Sequence, residues 1–205
     1  MDERFVFLRK EKFDPTRRSD YANISVHSDS WFLGYQFAFG LRSETLTGKS
    51  LLDIGGMPGG IFAKYAQSIG LNLTTLNPCA SLFTEDVKQQ SSCKSVLGFA
   101  QEMPFEDNSF DIILGLASVP VYLPNYESEY RRAFREIIRT LKPGGKAILT
   151  SIPESIYKDL VFVELVKKFK GVSNWSFEDL GEDEGDFYGE KVKMRLYKLI
   201  ITKKR

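Results

Sequence analysis

The chain has 205 residues, 42% of them hydrophobic, which suits one ordinary globular domain. Its 28 lysine and arginine residues nearly balance 27 aspartate and glutamate residues, so no overall charge attracts nucleic acid or an anionic membrane. The two cysteines lack a CxxC spacing and His27 is the single histidine, which excludes a histidine-rich metal site and predicts no metal. No apolar stretch approaches the roughly 20 residues of a membrane helix, and the N-terminus lacks the apolar core of a secretory signal. We therefore expect a cytoplasmic protein without a membrane partner.

Residues 1–45 differ in character from the rest of the chain. Charged and aromatic residues alternate before Trp31, and the sequence WFLGYQFAFGLRS then predicts an apolar helix. The basic stretch 9–18 resembles a nucleic-acid arm, but its two acidic residues, Glu11 and Asp14, favour a solvated segment. We predict a helical lid segment at 1–45, packed on a main domain at 46–205.

From residue 50 onward, short apolar runs typical of strands alternate with helical patterns. The predicted strands in this half are 50–56, 71–78, 95–100 and 110–117. Predicted helices at 59–70 and 81–90 follow the first two strands, and the Asn77-Pro78 pair closes the second strand.

The C-terminal half continues the alternation. A strongly amphipathic helix begins at Tyr126 and ends at the sequence KPGG. The segments after it are a strand at 146–152, a helix at 154–171, the WSFEDL segment at 175–180, an acidic loop at 181–186 and a last strand at 194–202.

Strands that are apolar on both faces indicate a parallel sheet covered by helices on both sides. We therefore predict a Rossmann-like three-layer α/β/α sandwich with a mostly parallel seven-stranded sheet. No helix precedes the last strand, so that strand is expected to run antiparallel to its neighbours.

The stretch SLLDIGGMPGG at 50–60 places four glycines in six residues directly after a predicted strand. In a doubly wound sheet, ligands bind at the carboxyl ends of the strands, where the start of a helix offers unpaired N–H groups. A glycine cluster also suits a plain tight turn. Other segments of the chain are therefore needed to distinguish a tight turn from a ligand-binding loop.

Four segments in this order resemble the class I S-adenosylmethionine-dependent methyltransferases, over roughly residues 48–152. They are the glycine loop, Asn77, the stretch FAQEMPFEDNSFD at 99–111 and the stretch LKPGG at 141–145. In that family the loop wraps the methionine part of the cofactor, the end of the second strand binds the ribose, and the segment after the third contacts adenine. The resemblance implies S-adenosyl-L-methionine as the cofactor, bound by Asp53, Gly55, Gly56, Met57, Gly59, Asn77, Pro78, Phe99, Ala100, Gln101 and Leu116.

Three positions depart from the pattern of that family. Met57 stands at the usual middle glycine, Asn77 replaces the carboxylate that binds the ribose, and Phe99 replaces the aspartate near the adenine. An amide lacks the charge-assisted hydrogen bonds of a carboxylate. These departures support a second hypothesis, a methyltransferase-fold protein without catalysis that serves as a binding or regulatory subunit.

A third hypothesis comes from the loop itself, since DIGGMPGGIF resembles the D-L-G-A-x-P-G-G-F loop of RNA ribose 2′-O-methyltransferases. Those enzymes use a Lys-Asp-Lys-Glu tetrad, and here LGLASVPVY follows the fourth strand without the required aspartate. The Asn/Asp-Pro-Pro-Tyr pattern of base N-methyltransferases is also missing there. Both observations disfavour a nucleic-acid substrate.

Methyl transfer requires the protein mainly to align the acceptor, because the cofactor supplies an activated methyl group. The candidate bases are His27, which titrates near neutral pH, and Tyr122, which follows the fourth strand, although a lone loop histidine is more often a surface residue and such a tyrosine is more often packed. The leading hypothesis is a methyltransferase that acts on oxygen or nitrogen of a small molecule or metabolite, in a cavity roofed by residues 20–40. The oligomeric state is left open.

Overall fold

The computed structural model describes residues 39–41, 43–56, 63, 66, 69–78, 93–116, 118–121, 123, 127–187 and 190–205. The strands are β1 (Ser50–Ile54), β2 (Asn72–Asn77), β3 (Lys94–Leu97), β4 (Phe110–Leu116), β5 (Leu141–Pro153), β6 (Ser173–Phe187) and β7 (Glu190–Lys203). The helices with described bounds are α1 (Ser43–Leu46), α2 (Glu127–Thr140), α3 (Glu154–Tyr157) and α4 (Leu160–Phe169).

The strands form one seven-stranded sheet in the order β3-β2-β1-β4-β5-β7-β6. All pairs among β1 to β5 are parallel, whereas β7 runs antiparallel to both β5 and β6. The predicted Rossmann-like sheet with an antiparallel last strand is therefore confirmed. Because β1 lies between β2 and β4, the strand order reverses at β1, and such a reversal opens a crevice at the carboxyl ends of the strands.

The core has two apolar layers, one on each face of the sheet. In β1, Leu51 faces a layer that includes Phe39 and Ile148, and Leu52 faces a layer that includes Phe134 and Phe162. Neighbouring strand residues point to opposite faces, so an uninterrupted apolar run serves both layers. This arrangement confirms the three-layer sandwich inferred from strands that are apolar on both faces.

The prediction of an acidic loop at 181–186 is wrong, because these residues belong to β6. The β6–β7 pairing continues from Ser173 with Lys203 to Phe187 with Glu190. Basic residues of β7 stabilise the acidic strand, since Arg195 binds Asp179 at 2.6 Å. The acidic composition of residues 181–186 suggested a solvated loop because the sequence alone does not show that these residues pair with β7.

Other boundaries also differ from the prediction, among them the start of β7, which is Glu190 and not residue 194. The helix predicted at 154–171 is divided into α3 and α4, because the side chain of Asp159 accepts hydrogen bonds from the first turn of α4. Strand β5 begins at Leu141, directly after α2, and not at residue 146. Strand β3 ends at Leu97, three residues earlier than predicted.

Several predicted elements lie outside the described residues. Of the helix predicted at 59–70, the structure describes Ala63 and Ala66 as helical and buried, together with the turn that follows. The helix predicted at 81–90 and the lid segment before residue 39 fall outside. Among the helices that the structure does describe, none is long and apolar enough to cross a membrane.

Candidate cofactor and acceptor site

Two of the four segments that resemble the methyltransferase family, 99–111 and 141–145, are joined by a hydrogen bond. Asp111 in β4 accepts hydrogen bonds from the Ser50 backbone N–H at 2.9 Å and from Lys142 Nζ at 2.7 Å. Partial burial raises the pKa of Asp111, but these hydrogen bonds and the charge of Lys142 outweigh it and lower the pKa below its ordinary value. A Cβ added at Gly145 would lie 3.0 Å from the Asp111 carbonyl oxygen, so glycine permits this close approach. These residues therefore position β1, β4 and β5.

Arg139 of α2 holds the stretch that follows β3. Its guanidinium donates to the backbone oxygens of Met103 at 3.1 Å and Phe105 at 2.8 Å, and to Asp107 Oδ1 at 2.8 Å. Glu136 orients the guanidinium through two further hydrogen bonds, and together with Asp107 it raises the pKa of Arg139. The stretch MPFED therefore has a structural role, which is to fix the chain at the carboxyl end of β3.

The glycine loop closes directly over a buried carboxylate. Asp53 in β1 is 2% exposed, and Gly55 follows with φ of 83°, a conformation that favours glycine. The Gly55 backbone N–H donates to the Leu76 oxygen at 2.7 Å. A Cβ added at Gly56 would overlap Asp53 Oδ2 and lie 2.8 Å from Asp53 Cγ. Both glycines are thus required by the backbone path.

Burial of Asp53 makes the free energy of unfolding depend on pH. Desolvation raises the pKa of Asp53 from 3.8 to about 7. Between these values the folded protein keeps a proton on Asp53 that the unfolded chain has lost. The free energy of unfolding therefore falls as the pH rises through this window, by at most about 4 kcal/mol.

We expect Asp53→Asn to remove this dependence. Urea unfolding of both proteins between about pH 4.5 and about pH 7.5 measures it, because all other ionisable groups are common to the two. The asparagine variant gains stability relative to the unsubstituted protein as the pH rises. Parallel pH profiles would contradict the assignment of a raised pKa to Asp53.

Asn77 supports the loop from the end of β2. It is buried, and its Nδ2 donates to the backbone oxygens of Gly55 at 3.4 Å and Gly56 at 3.3 Å. The residue at the ribose position thus lies against the glycine loop. Pro78, which follows it, is exposed.

The segment after β3 presents apolar surface at the same edge of the sheet. Leu97, the pairing partner of Asn77, is 57% exposed, and Phe99 is 61% exposed. Ala100 is buried, and Gln101 Nε2 donates to Glu129 Oε2 at 3.0 Å. Exposed apolar side chains next to a ligand loop are candidates for stacking against a planar group.

Ser118 is a site residue that sequence reasoning missed. Its hydroxyl is buried and has no hydrogen-bond partner in the described part of the chain. Cβ atoms added at Gly55 and Gly115 would lie 3.0 Å from Ser118 Cβ and 2.8 Å from Ser118 Oγ, respectively. The available signal was Gly115, because a glycine inside a strand marks the close approach of another group. Leu116, which ends β4, is partly buried beside this corner.

The remaining predicted site residues are not tested. Met57 and Gly59 in the loop, and the candidate bases His27 and Tyr122, lie outside the described residues.

The described residues fit S-adenosyl-L-methionine. The carboxyl ends of β1, β2 and β4 meet at a loop whose glycines leave the backbone accessible, and the buried hydroxyl of Ser118 lies next to that loop with no partner among the described residues. An unpaired buried polar group requires an explanation, and a polar ligand would supply its partner.

Part of the chain matches a known protein family. Residues 52–149 match a family described as a methyltransferase domain. This match spans just under half of the chain, which is thus similar to the class I S-adenosylmethionine-dependent methyltransferases. The cofactor of this family is S-adenosyl-L-methionine.

Individual relatives match parts of this chain. A sterol 4-C-methyltransferase of Caenorhabditis elegans is 38% identical over 104 residues, which are 48% of this chain and 29% of that protein. Phosphoethanolamine N-methyltransferase 2 of the same organism is 27% identical over 177 residues, which are 73% of this chain and 39% of that protein. The chain therefore spans well under half the length of these two relatives.

The fold is also that of a solved methyltransferase. Phosphoethanolamine N-methyltransferase 2 of Haemonchus contortus, in complex with S-adenosyl-L-methionine, superposes with a TM-score of 0.59 at 19% identity. The match covers 98% of this chain and 60% of that chain. At this identity the likeness concerns the fold.

Proposed function

We propose that this chain is an S-adenosylmethionine-dependent methyltransferase that methylates oxygen or nitrogen of a small molecule or metabolite. The observation that carries the proposal is the convergence of the glycine loop, Asn77 and the Ser118 hydroxyl, which has no partner among the described residues, at the carboxyl ends of three adjacent strands. When bound, the cofactor supplies an electrophilic methyl group for displacement by the acceptor. The protein binds and orients the two reactants.

Each part of the cofactor has a candidate partner. Gly55 and Gly56 leave the backbone bare for the methionine part, and Asn77 keeps that loop in place through its two carbonyl contacts. Leu97 and Phe99 offer apolar surface for the adenine base. The Ala100 backbone, Gln101, Pro78 and Leu116 complete this set, with Met57 and Gly59 of the loop.

A small-molecule acceptor is supported by the relatives, whose names specify a sterol and phosphoethanolamine. The segment 1–45 is proposed to cover the acceptor bound to the domain at 46–205, and His27 and Tyr122 stay the candidate bases. Asn77 and Phe99 favour the alternative of a binding subunit without catalysis, because neither supplies the carboxylate usual at its position.

Calorimetric titration with S-adenosyl-L-methionine and S-adenosylhomocysteine tests the function. We expect both to bind, followed by methyl transfer in a screen of oxygen and nitrogen acceptors. Absence of binding at about millimolar cofactor would contradict the proposal and favour the binding-subunit alternative.

Ser118→Ala separates a binding role from a structural role. We expect affinity for S-adenosylhomocysteine to fall by about threefold to tenfold, because one hydrogen bond to the ligand is lost. The free energy of unfolding should not fall, since the removed hydroxyl has no partner in the described structure. Calorimetry and urea unfolding measure the two effects.

Ser173→Ala is the matched control. Its hydroxyl is buried, donates to the Phe169 oxygen at 3.1 Å and accepts from Trp175 Nε1 at 2.7 Å, and it belongs to the first residue of β6. This variant should lose stability and keep cofactor affinity. The same change in affinity for both variants would contradict a specific role of Ser118.

A further inference from the structure

Three polar side chains lie on neighbouring strands of the sheet, on the face that also carries Ile148 and Ile200. We give the name polar row to these residues, Thr150 of β5, Lys198 of β7 and Glu178 of β6. Thr150 pairs with Leu116 of β4, and Glu178 pairs with Lys198. Paired positions in a sheet place their side chains on one face. The polar row therefore lies on the same face as Leu116 at the end of β4 and extends over the next three strands.

A bulge in β5 connects Thr150 to Lys198. The flanking pairs of the β5–β7 ladder are Leu149 with Leu199 and Ile152 with Tyr197. Two residues of β5, Thr150 and Ser151, therefore lie opposite Lys198 alone. Ser151 has φ of 60°, which is uncommon for a residue other than glycine, and bulges of this kind often redirect a side chain at a functional site.

The polar row faces the same layer as the N-terminal residues. Ile148 and Ile200, each two positions from a member of the row, belong to or pack on the layer that contains Phe39. A Cβ added at Gly40 would lie 3.7 Å from Lys198 Nζ. Gly40, near the end of the proposed lid segment 1–45, thus lies close to Lys198.

Two members of the row have unused hydrogen-bonding capacity. Thr150 is 0% exposed, and its hydroxyl has no partner among the described residues. Lys198 is 6% exposed, and in the same part of the chain its ammonium binds only Glu178 Oε2, at 2.6 Å. An ammonium has three donors, and burying donors without acceptors is costly. A cross-strand ion pair accounts for Glu178 but leaves the Thr150 hydroxyl and the bulge unexplained.

The polar row begins two strands away from the glycine loop. Asp53 pairs with Leu114, so Gly55, two residues further along, adjoins Leu116. Neighbouring strands are about 4.8 Å apart, which places Thr150 roughly 10 Å and Lys198 roughly 14 Å from the loop. A small acceptor that reaches the cofactor over the end of β4 would therefore extend over the polar row.

We propose that Thr150 and Lys198 bind an anionic group of the methyl acceptor, either a phosphate or a carboxylate. This inference rests on the proposed function, because it names the acceptor class of the same site. Both groups donate hydrogen bonds, and the charge of Lys198 complements an oxyanion. Glu178, whose side chain is 56% exposed, balances Lys198 without the acceptor and turns into solvent when an oxyanion replaces it.

Calorimetric titration with inorganic phosphate and, separately, with acetate tests the inference. The protein is first saturated with S-adenosylhomocysteine, and chloride keeps the ionic strength constant. We expect binding of at least one anion at about millimolar concentration. A preference for phosphate indicates a phosphorylated acceptor, and a preference for acetate indicates a carboxylic acid.

Lys198→Met removes the charge and keeps the length of the side chain, and Thr150→Val removes the hydroxyl at equal size. Anion affinity should fall by at least about tenfold in the first and by about threefold in the second. Lys167→Met is the control, because Lys167 is an exposed, ion-paired lysine of α4. That variant should bind anions as the unsubstituted protein does.

Equal anion affinity with and without Lys198, or an equal loss in the Lys167 control, would overturn the inference. Glu178→Gln carries the test if Lys198→Met does not fold: it removes the competing carboxylate, so anion binding should tighten, and unchanged or weaker binding would overturn the inference. Absence of S-adenosylhomocysteine binding contradicts the proposed function instead. Cofactor binding without any anion binding contradicts this inference alone.

Discussion

Gly56→Ala should weaken the binding of S-adenosylhomocysteine by about a hundredfold, since misplacement of binding groups by about 1 Å has effects of this size. The added Cβ overlaps Asp53 Oδ2 and lies 2.8 Å from Cγ and 3.1 Å from Cβ of the same residue. Asp53 is 2% exposed and sits in a packed strand, so its carboxylate has little room to move. The loop backbone must shift instead, and the shift displaces the surface that is proposed to face the cofactor.

Gly171→Ala is the control for this substitution. A Cβ at Gly171 meets no atom within 4 Å, and its φ is not in the left-handed region. This variant should keep both cofactor affinity and stability. Titration calorimetry and thermal unfolding of the two variants provide the measurement, and an unchanged affinity for Gly56→Ala would contradict the assigned position of the cofactor.

Phe162→Ala should lower the free energy of unfolding by about 3–5 kcal/mol, the usual cost of removing a fully buried aromatic ring. Phe162 is 0% exposed and belongs to an aromatic cluster below the sheet. Its ring lies 5.9 Å from Tyr130, 5.8 Å from Phe134 and 6.2 Å from Phe177, measured between ring centroids. The cavity would therefore open where α4, α2 and β6 meet.

Leu160→Ala on the same helix is the matched control, because Leu160 is 79% exposed. Its stability should change by less than about 0.5 kcal/mol. Urea unfolding at one pH measures both variants. A loss below about 1 kcal/mol for Phe162→Ala would mean that the cluster does not hold α4 on the sheet.

The parallel half of the sheet could be predicted because each of its strands can be recognised from its own residues. Runs such as Ile112 to Leu114 in β4 are apolar throughout, a pattern typical of a strand buried on both faces. The β6–β7 hairpin could not be recognised in the same way. Its acidic residues are neutralised by partners such as Lys198, which lies 20 positions beyond Glu178 and carries no local signal.

The motifs indicated a candidate site at the glycine loop but not the contacts that their residues make. Asp111 and Lys142 join β4 to β5, and Arg139 joins the stretch after β3 to α2. Ser118 and Thr150 were not predicted, because the lack of a hydrogen-bond partner is a property of the folded chain and not of the sequence.

The position of β7 has a consequence for the order of folding. It lies between β5 and β6, yet it is the last of the seven strands to be synthesised. Among the described strands, β6 pairs with β7 alone, so it has no partner in the sheet until β7 has been synthesised. The parallel strands can assemble earlier, since their partners precede them in the chain. The side of the sheet that carries Lys198 and Glu178 is therefore completed after the parallel strands.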